Sequence, residues 1–481
     1  MSLRRLVFIV AAVVEGTAAA MLTASVVAIV YREWDEALSI TVGAVVVLVL
    51  SDLVRRGAAR TGELTMREGF AAVGLSWCAM VAVGTIPFFV TGTIGGVTEV
   101  FFETASGFTT TGASVVAAPE NLPHSVLWWR ALTQWIGGIG IIVLSIAVLP
   151  LLGVGGMQLA RAEGGFEPDR LTPRFRDTAK RLWAVYLVLT TACAVAFFIA
   201  GMGVFDAVTH AFTALATGGF GTRSDSLASF GAAVQWVAIV FMFLGATSFV
   251  LHLRALRKPK EYLRSAELRT FAAVAMLASL MAAWGTWGGE AVETIRHAVF
   301  SVVSVISTTG FGVTDWNFWS TGLQVMIVGL MFVGGMAGST SGSIKIYRLG
   351  ILYQGSRADM RRRIHPRGVF VTQFGHQQVP DRIAESVQSF FILYMFIFMT
   401  GTLLLATFES IAGSQFDIAT SVSAVATSMG NIGPGLSEVG PASTFAGIHA
   451  SGKWLLSFLM IVGRLEIFPI VLLFTREMWR R

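Results

Sequence analysis

Apolar stretches long enough to cross a lipid bilayer recur along the whole chain, and this feature restricts the possible folds more than any other. Of the 481 residues, 54% are hydrophobic and only 13% are charged, which is too little charge to cover a soluble protein of this length. Most of the ten runs reach the roughly 20 residues that span a hydrocarbon core as a helix. They are 6–31, 37–54, 71–90, 126–154, 182–202, 233–251, 271–284, 322–335, 390–406 and 454–474. We therefore predict an all-α membrane protein.

Positive charges are grouped in short segments between these runs. Most of the 35 Lys and Arg residues lie near the two termini or in four segments, 55–67, 161–181, 254–269 and 345–382. Short basic loops stay on the cytoplasmic side of a membrane, so we expect these segments and both termini in the cytoplasm. The acidic turn formed by Glu33, Asp35 and Glu36 is expected outside. On this interpretation the net charge of +6 reflects topology and does not indicate a nucleic-acid partner.

The stretches between consecutive basic segments share one pattern. Each contains two long apolar runs separated by a shorter apolar stretch and a glycine-rich segment, and each begins and ends on the cytoplasmic side. This pattern predicts a helix, a re-entrant loop and a second helix. Non-helical backbone is tolerated at membrane depth only when it is buried in protein or lines an aqueous cavity. We accordingly divide the chain into an N-terminal helix pair, 1–60, and four repeats, 61–160, 161–260, 261–375 and 376–481.

The four glycine-rich segments can be laid over one another. They read SGFTTTGAS from residue 106, LATGGFGT from 215, ISTTGFGVTD from 306 and TSMGNIGPG from 427. When the segments are aligned on a two-residue motif that ends in glycine, the equivalent positions are Gly112, Gly218, Gly310 and Gly430. One polypeptide would then supply four like loops in a pseudo-fourfold arrangement around one central pore.

A short helix is expected before each loop, with an acidic residue at its start. The predicted helices are 99–107, 206–215, 293–306 and 417–426. An acidic side chain stabilises the positive end of the helix dipole, and the negative end then points towards the loop. This arrangement favours a cation at the loops.

Glycine and threonine are the residue types that a filter for alkali cations needs. A dehydrated cation must replace water by other oxygens, and rings of backbone carbonyls do this in potassium channels. Glycine reaches the unusual backbone angles that such rings require, and threonine adds a hydroxyl. Small residues also serve helix packing in membranes, but four copies at the same place in the topology favour a filter. The predicted potassium ligands are Thr110, Thr111, Gly112, Ala216, Thr217, Gly218, Thr308, Thr309, Gly310, Ser428, Met429 and Gly430.

Several motifs resemble the TrkH branch of the Trk/Ktr/HKT potassium transporters. Besides the loops, they are RALTQWIGGIGI at 130–141, LPLLGVGGMQL at 149–159, GGMAGSTSGSIK at 334–345 and NIGPGL at 431–436. The resemblance covers almost the whole chain. It implies potassium as the transported substrate, no bound organic cofactor, a homodimer in the bacterial inner membrane, and a cytoplasmic, TrkA-like ring of nucleotide-binding regulatory subunits. Whether the flux is passive or coupled to sodium or protons stays open.

The resemblance also implies a gate. The apolar run after the third loop is interrupted by small residues that match the family's intramembrane gating loop, and the alternative is a kink that serves packing alone. Arg464 matches the arginine that faces this loop, where its charge would raise the barrier to cations; the alternative is a purely structural partner. The predicted gating residues are Gly334, Gly335, Gly338, Ser339, Thr340, Ser341, Gly342, Lys345 and Arg464.

Two details of the predicted filter bear on selectivity. Met429 stands where the other loops have threonine, so one side of the pore would lack that hydroxyl. In relatives that admit sodium, serine replaces the first glycine, whereas Gly112 is intact here. The intact glycine favours potassium.

Two other functions fit the sequence less well. An enzyme would need clustered His and carboxylate side chains, whereas the seven histidines are scattered and no HExxH motif occurs. A transporter of organic solutes usually has two inverted halves, whereas this chain shows four repeats of the same orientation. We therefore predict an ion pathway and no enzymatic activity.

Overall fold

Helices dominate the parts of the chain that the computed structural model describes, residues 2–58, 65–147, 171–375, 377–414 and 416–480. The motif at 149–159 and much of the basic segment 161–181 lie outside these ranges. Each of the ten apolar runs overlaps a helix. The chain is a multi-pass membrane protein, because six described helices are long and apolar enough to cross a bilayer, or eight if two bent pairs are each counted as one span.

The chain begins with a hairpin of two long helices, α1 (Leu3–Tyr31) and α2 (Trp34–Arg56). Small side chains such as Ala24 and Ala44 are buried between them, whereas the outer faces expose valine and leucine side chains, as expected for contact with lipid. The acidic turn anchors the hairpin to the rest of the protein. Glu33 accepts hydrogen bonds from the backbone of His124 at 2.6 Å and of Ser125 at 3.0 Å.

A fixed order of elements then follows four times: a long helix, a short helix, a loop and a further helix. The first unit comprises α3 (Met66–Gly84), α4 (Ile86–Thr91), α5 (Val97–Phe108) and α6 (His124–Ala147). The second unit comprises α7 (Leu171–Ile199), α8 (Val204–Leu215), α9 (Ala232–Gly245) and α10 (Phe249–Ala255).

The third and fourth units repeat this order with additions. The third comprises α11 (Lys260–Arg264), α12 (Ala266–Gly285), α13 (Ala291–Ile306), α14 (Thr321–Met331), the parallel strands β1 (Val333–Gly334) and β2 (Ile344–Lys345), and α15 (Ile346–Ile364). The fourth comprises the antiparallel strands β3 (Gln373–Phe374) and β4 (Gln377–Gln378), α16 (Asp381–Ile411), α17 (Ile418–Gly430), α18 (Ala450–Arg464), α19 (Phe468–Val471) and α20 (Arg476–Trp479).

The four short helices predicted before the loops are confirmed. They are α5, α8, α13 and α17, and each begins within two residues of its predicted start. In the first three, the acidic residue is the third residue of the helix. In the fourth, Asp417 is the N-cap, and its carboxylate accepts a hydrogen bond from the Thr420 N–H at 2.7 Å. Both positions favour the positive end of the helix dipole.

The four units contact one another in a closed ring. The helix after each loop packs against the short helix of the next unit: α6 against α8, α9 against α13, α14 against α17, and α18 of the last unit against α5 of the first. Polar contacts follow the same order. The Arg296 Nε donates to Gln235 at 2.8 Å between units two and three, and the Lys453 ammonium lies 2.8 Å from Glu99 between units four and one.

Within the described ranges, three units, and not only the third, have a broken helix after the loop. We predicted one break, in the third repeat, but α9 and α10 meet at 97° and α18 meets the segment Phe468–Phe474 at 116°. The apolar run 322–335 is likewise helical only as far as Met331. The break after α9 leaves backbone carbonyls unpaired in the helix. One of them, on Ala246, accepts a hydrogen bond from the Met336 N–H of the third unit at 2.9 Å.

Candidate functional site

All four short helices end in the same hydrogen-bonded turn. One N–H in each turn donates to the carbonyl five residues earlier, and the residue before that donor is in the left-handed conformation, as in common helix C-caps. The four donors are Thr111, Gly218, Thr309 and Ile432, with N···O distances of 2.9, 2.8, 2.9 and 3.0 Å. The left-handed residues are Thr110, Thr217, Thr308 and Asn431, with φ between 51° and 59°.

This common turn corrects the register of two loops. The residue after each donor is a glycine with φ between 80° and 110°, and the four glycines are Gly112, Gly219, Gly310 and Gly433. The glycines aligned from the sequence agree with this turn geometry in the first and third loops, whereas the equivalent glycine lies one residue later in the second loop and three residues later in the fourth. Ser428, Met429 and Gly430 are the last residues of α17 and not loop residues.

The two errors have different physical causes. In the second loop two glycines are adjacent, and composition does not show that Gly219 takes the positive φ. In the fourth unit the acidic residue is an N-cap that precedes the helix, whereas in the other units it is the third helical residue. The spacing between the acidic residue and the ring glycine is therefore three residues longer in the fourth unit, from 417 to 433, than in the first unit, from 99 to 112.

Each of the four glycines lies against the backbone carbonyl of the turn donor in the next loop, and these contacts form a closed ring. A side-chain carbon on Gly112 would collide with the carbonyl oxygen of Gly218, which belongs to the second loop. The same holds for Gly219 against the Thr309 carbonyl and for Gly310 against the Ile432 carbonyl. The ring closes at Gly433, where the carbon would lie 2.9 Å from the carbonyl oxygen of Thr111 in the first loop. Because each neighbour is backbone, only glycine fits at these four positions.

A cavity of about 140 Å³ lies against the ring. Backbone from all four loops lines it, and the lining residues include Gly112, Gly219, Gly310, Gly433 and Pro434. Arg223 also lines the cavity and is exposed. The four loops therefore share one space that small solutes can reach.

Residues that precede the glycines contact the segment between α14 and α15, residues 333–345, which we call the intramembrane loop. The Thr340 hydroxyl lies 2.9 Å from the Leu215 carbonyl at the end of α8 and 3.3 Å from the Thr217 hydroxyl. The Gly342 N–H donates to the Thr308 hydroxyl at 2.7 Å. A side chain at Gly342 would also collide with the Gly430 carbonyl at the end of α17 and lie 2.9 Å from the side chain of Asn431 in the fourth loop. The intramembrane loop thus touches the second, third and fourth loops.

The other predicted gating residues hold the intramembrane loop in its shape. Gly338 has φ of 71°, and its carbonyl accepts from the Phe249 N–H at 3.0 Å. The Ser341 hydroxyl accepts from the Gly335 N–H at 3.0 Å and lies 2.9 Å from the Ser339 hydroxyl. Lys345 is buried and donates to the Ser341 carbonyl, while Gly334 pairs with Lys345 in the short parallel sheet.

Arg464 is fully buried beside this loop. Its guanidinium donates to the Thr340 carbonyl at 2.7 Å and to the Gly137 carbonyl at 3.2 Å. Glu466 forms an ion pair with Arg348 instead. Within the described ranges no carboxylate lies at ion-pairing distance from Arg464, and the acceptors of its hydrogen bonds are backbone carbonyls.

The side chains of the four turn residues differ in their hydrogen-bond partners. The Thr217 and Thr308 hydroxyls bond to the intramembrane loop, and the Asn431 side chain donates to the Thr111 hydroxyl at 3.0 Å. The Thr110 hydroxyl is buried and has no hydrogen-bond partner among the described residues. The ring thus consists of neutral carbonyl and hydroxyl oxygens, which suit a weakly hydrated monovalent cation better than a divalent metal.

Comparison with known protein families agrees with this geometry. Residues 39–480 match the TrkH family, which is described as a cation transport protein family. The chain belongs to the TrkH family. It is therefore a transporter and not an enzyme, as predicted.

TrkH relatives match over most of their length. The Trk system potassium uptake protein TrkH of Vibrio parahaemolyticus is 37% identical over 439 residues, and the protein of the same name from Salmonella typhimurium is 36% identical over 430 residues. In both pairs, 87% of each chain is covered. A crystal structure of the potassium transporter TrkH from Vibrio parahaemolyticus has a TM-score of 0.91 and 35% identity, with 100% of both chains covered. This match confirms the all-α fold of the TrkH family.

A buried ion pair that was not predicted from the sequence joins two of the four loops. The Arg130 guanidinium lies 2.8 Å from the Glu103 carboxylate, and both side chains are nearly inaccessible to solvent. Glu103 also accepts from the Ser114 hydroxyl at 3.0 Å, and Arg130 donates to the Gly221 carbonyl at 3.1 Å. The positions of these charged residues inside apolar helices were the only sequence signal that could have revealed them.

We predict that Arg130→Ala strongly destabilises the protein. The substitution leaves the Glu103 carboxylate buried without its cation, which typically costs roughly 3–5 kcal/mol. Thermal unfolding in detergent should show this as a large fall in the midpoint temperature. Arg223→Ala is the control, because Arg223 lies close by but is exposed. Equal midpoints for the two variants would contradict the prediction.

Proposed function

We propose that this protein takes up potassium ions across the bacterial inner membrane through a selectivity filter built from its four loops. The observation that carries the proposal is the closed ring in which each loop glycine abuts a carbonyl of the next loop. The choice of potassium as the ion rests on the relatives, which are named as potassium uptake proteins. The corrected filter consists of the turn residues and glycines Thr110–Gly112, 217–219, 308–310 and 431–433.

The proposed pathway has a constriction at the intramembrane loop. This loop contacts three filter loops, and Arg464 places a positive charge beside it that has no ion-pair partner among the described residues. A fixed positive charge in a low-dielectric environment raises the energy of a passing cation. In this proposal the loop and Arg464 block conduction until they move, and all nine predicted gating residues keep that role.

The proposal includes the partners and orientation that the family resemblance implies. A homodimer would have one pore per subunit, and a cytoplasmic TrkA-like ring would control the gate. The basic segments support a cytoplasmic location for both termini. The exposed end of α15, with Arg361, Arg362 and Arg363, offers positive charge on the side where the regulator would bind. The boundaries of the four repeats stay a prediction.

Ion flux into proteoliposomes tests the proposed function. We expect uptake of K⁺ and Rb⁺ well above that of Na⁺ and Li⁺, because carbonyl rings compensate the dehydration of the larger ions better. Liposomes without protein provide the background. Equal uptake of the four ions would refute the selective filter, and uptake at background level in the presence and absence of a regulatory partner would refute transport of monovalent cations.

A further inference from the structure

The second filter loop differs from the others at one position in the ring. The residue before the ring glycine is Thr111 in the first loop, Thr309 in the third and Ile432 in the fourth, but it is Gly218 in the second. A side chain at position 218 would collide with the side-chain amide of Gln134. The space that a loop side chain could occupy is therefore taken by a residue of the first unit.

Gln134 is fully buried and holds the second loop on both sides of Gly219. Its Nε2 donates to the Gly218 carbonyl at 2.7 Å, and its Oε1 accepts from the Phe220 N–H at 3.1 Å. The Gly218 carbonyl is the same oxygen that abuts Gly112 in the ring. One side chain therefore sets the position of a ring oxygen and of the next amide.

The helix that carries Gln134 is itself held firmly against the filter. A side chain at Gly137 of α6 would collide with the Phe108 carbonyl, and one at Gly138 would lie 3.0 Å from Ala216. Thr133, next to Gln134, occupies the space beside Gly107. The backbone of α6 thus lies directly on the ends of α5 and α8, which makes it a stable support for Gln134.

The first and third loops have an anchor of their own that the second loop lacks. The Thr111 hydroxyl lies 2.7 Å from the Thr109 hydroxyl, and the Thr309 hydroxyl lies 2.8 Å from the Ser307 hydroxyl. The corresponding pair in the second loop is Ala216 and Gly218, which carry no hydroxyl. Adjacent glycines are the most flexible backbone, so without an external contact this loop would be less constrained than the first and third loops.

We propose that Gln134 is a positioning residue that determines potassium selectivity by holding the Gly218 carbonyl at the spacing of the ring. The inference rests on the proposed function, since it assigns Gln134 a role in that filter. A carbonyl ring that keeps its spacing cannot close around the smaller sodium ion, so an oxygen that is held in place favours potassium. Removing the Gln134 contacts therefore changes the ratio of potassium to sodium flux more than it changes potassium flux.

The test measures K⁺ and Na⁺ uptake into proteoliposomes and compares the Gln134→Met variant with the Gln235→Met variant. Gln235 is the matched control, because it is also buried and donates to two backbone carbonyls, those of Leu227 and Phe230, but does not contact the ring. We expect the K⁺/Na⁺ ratio of Gln134→Met to fall about tenfold, the effect of losing two buried hydrogen bonds. The ratio of Gln235→Met should equal that of the wild type.

The outcomes separate the two proposals. A wild-type protein without potassium selectivity overturns the proposed function, whereas a selective wild type with an unchanged ratio in Gln134→Met overturns the role of Gln134. If Gln134→Met does not fold, two other variants test the contact between Gln134 and Gly218. Gly218→Thr should fail to give a monodisperse protein, and Gln134→Ala combined with Gly218→Thr should restore it. A well-folded, fully selective Gly218→Thr would overturn the inference.

Discussion

Gly219→Ala should lower selective potassium uptake by about a hundredfold. Gly219 has φ of 80°, and an alanine there would collide with the Thr309 carbonyl of the neighbouring loop. The left-handed conformation costs a non-glycine residue roughly 1–2 kcal/mol, and overpacking adds about 1–3 kcal/mol. Since the colliding atom is backbone, the strain must displace the ring itself. Uptake of K⁺ and Na⁺ into proteoliposomes measures the effect.

Gly231→Ala is the control for this substitution. Gly231 lies in the same unit before α9, has φ of −62°, and has no atom within 4 Å of the position that a side-chain carbon would take. We expect wild-type uptake and selectivity from it. Gly219→Ala with wild-type selectivity would show that the second loop does not form part of the filter.

Arg464→Ala should raise basal potassium flux by about tenfold or more in the absence of any regulatory partner. The substitution removes a buried charge and the hydrogen bond that holds the Thr340 carbonyl. Two unit charges 4 Å apart repel by about 4 kcal/mol at an effective dielectric constant of 20, so even partial relief of this barrier is measurable. The rate of Rb⁺ uptake into proteoliposomes gives the basal flux.

Lys453→Met is the matched control, because Lys453 is a buried cation at the other end of the same helix, α18. It pairs with Glu99, and among the described residues it has no hydrogen bond or ion pair with the intramembrane loop. Its removal should leave basal flux low. Deletion of residues 338–342 should raise flux as Arg464→Ala does. Folded Arg464→Ala and deletion variants with wild-type basal flux would disprove the gating assignment.

The sequence allowed the main elements of the fold to be predicted, because they depend on local patterns. Apolar runs identified the helices, and the acidic residues Glu99, Asp206 and Glu293 marked three short helices to within two residues. The break in the third unit was predicted because GGMAGSTSGS resembles the gating loop of the TrkH branch. The breaks after Gly245 and Arg464 could not, because the runs through them remain apolar.

The site was harder to predict than the fold. The sequence alignment of Gly112 with Gly310 agrees with the turn geometry because each of them follows a threonine pair that has no competing glycine. In the fourth loop, Gly430 was chosen over Gly433, although Gly430 ends α17 and Gly433 lies in the ring. Which glycine has a positive φ depends on where the helix ends, and the position of a helix end is set by packing as well as by sequence.

Composition and periodicity alone establish a membrane protein with repeated re-entrant segments, because hydrophobicity and the small size of glycine are properties of each residue by itself. Contacts between residues that are far apart in the sequence are not properties of any single residue. The Gln134 contact with Gly218, the Arg130 pair with Glu103 and the carbonyl partners of Arg464 each join residues that are 27 or more positions apart. Such contacts exist only when the four units close into a ring, so the three-dimensional structure was needed to find them.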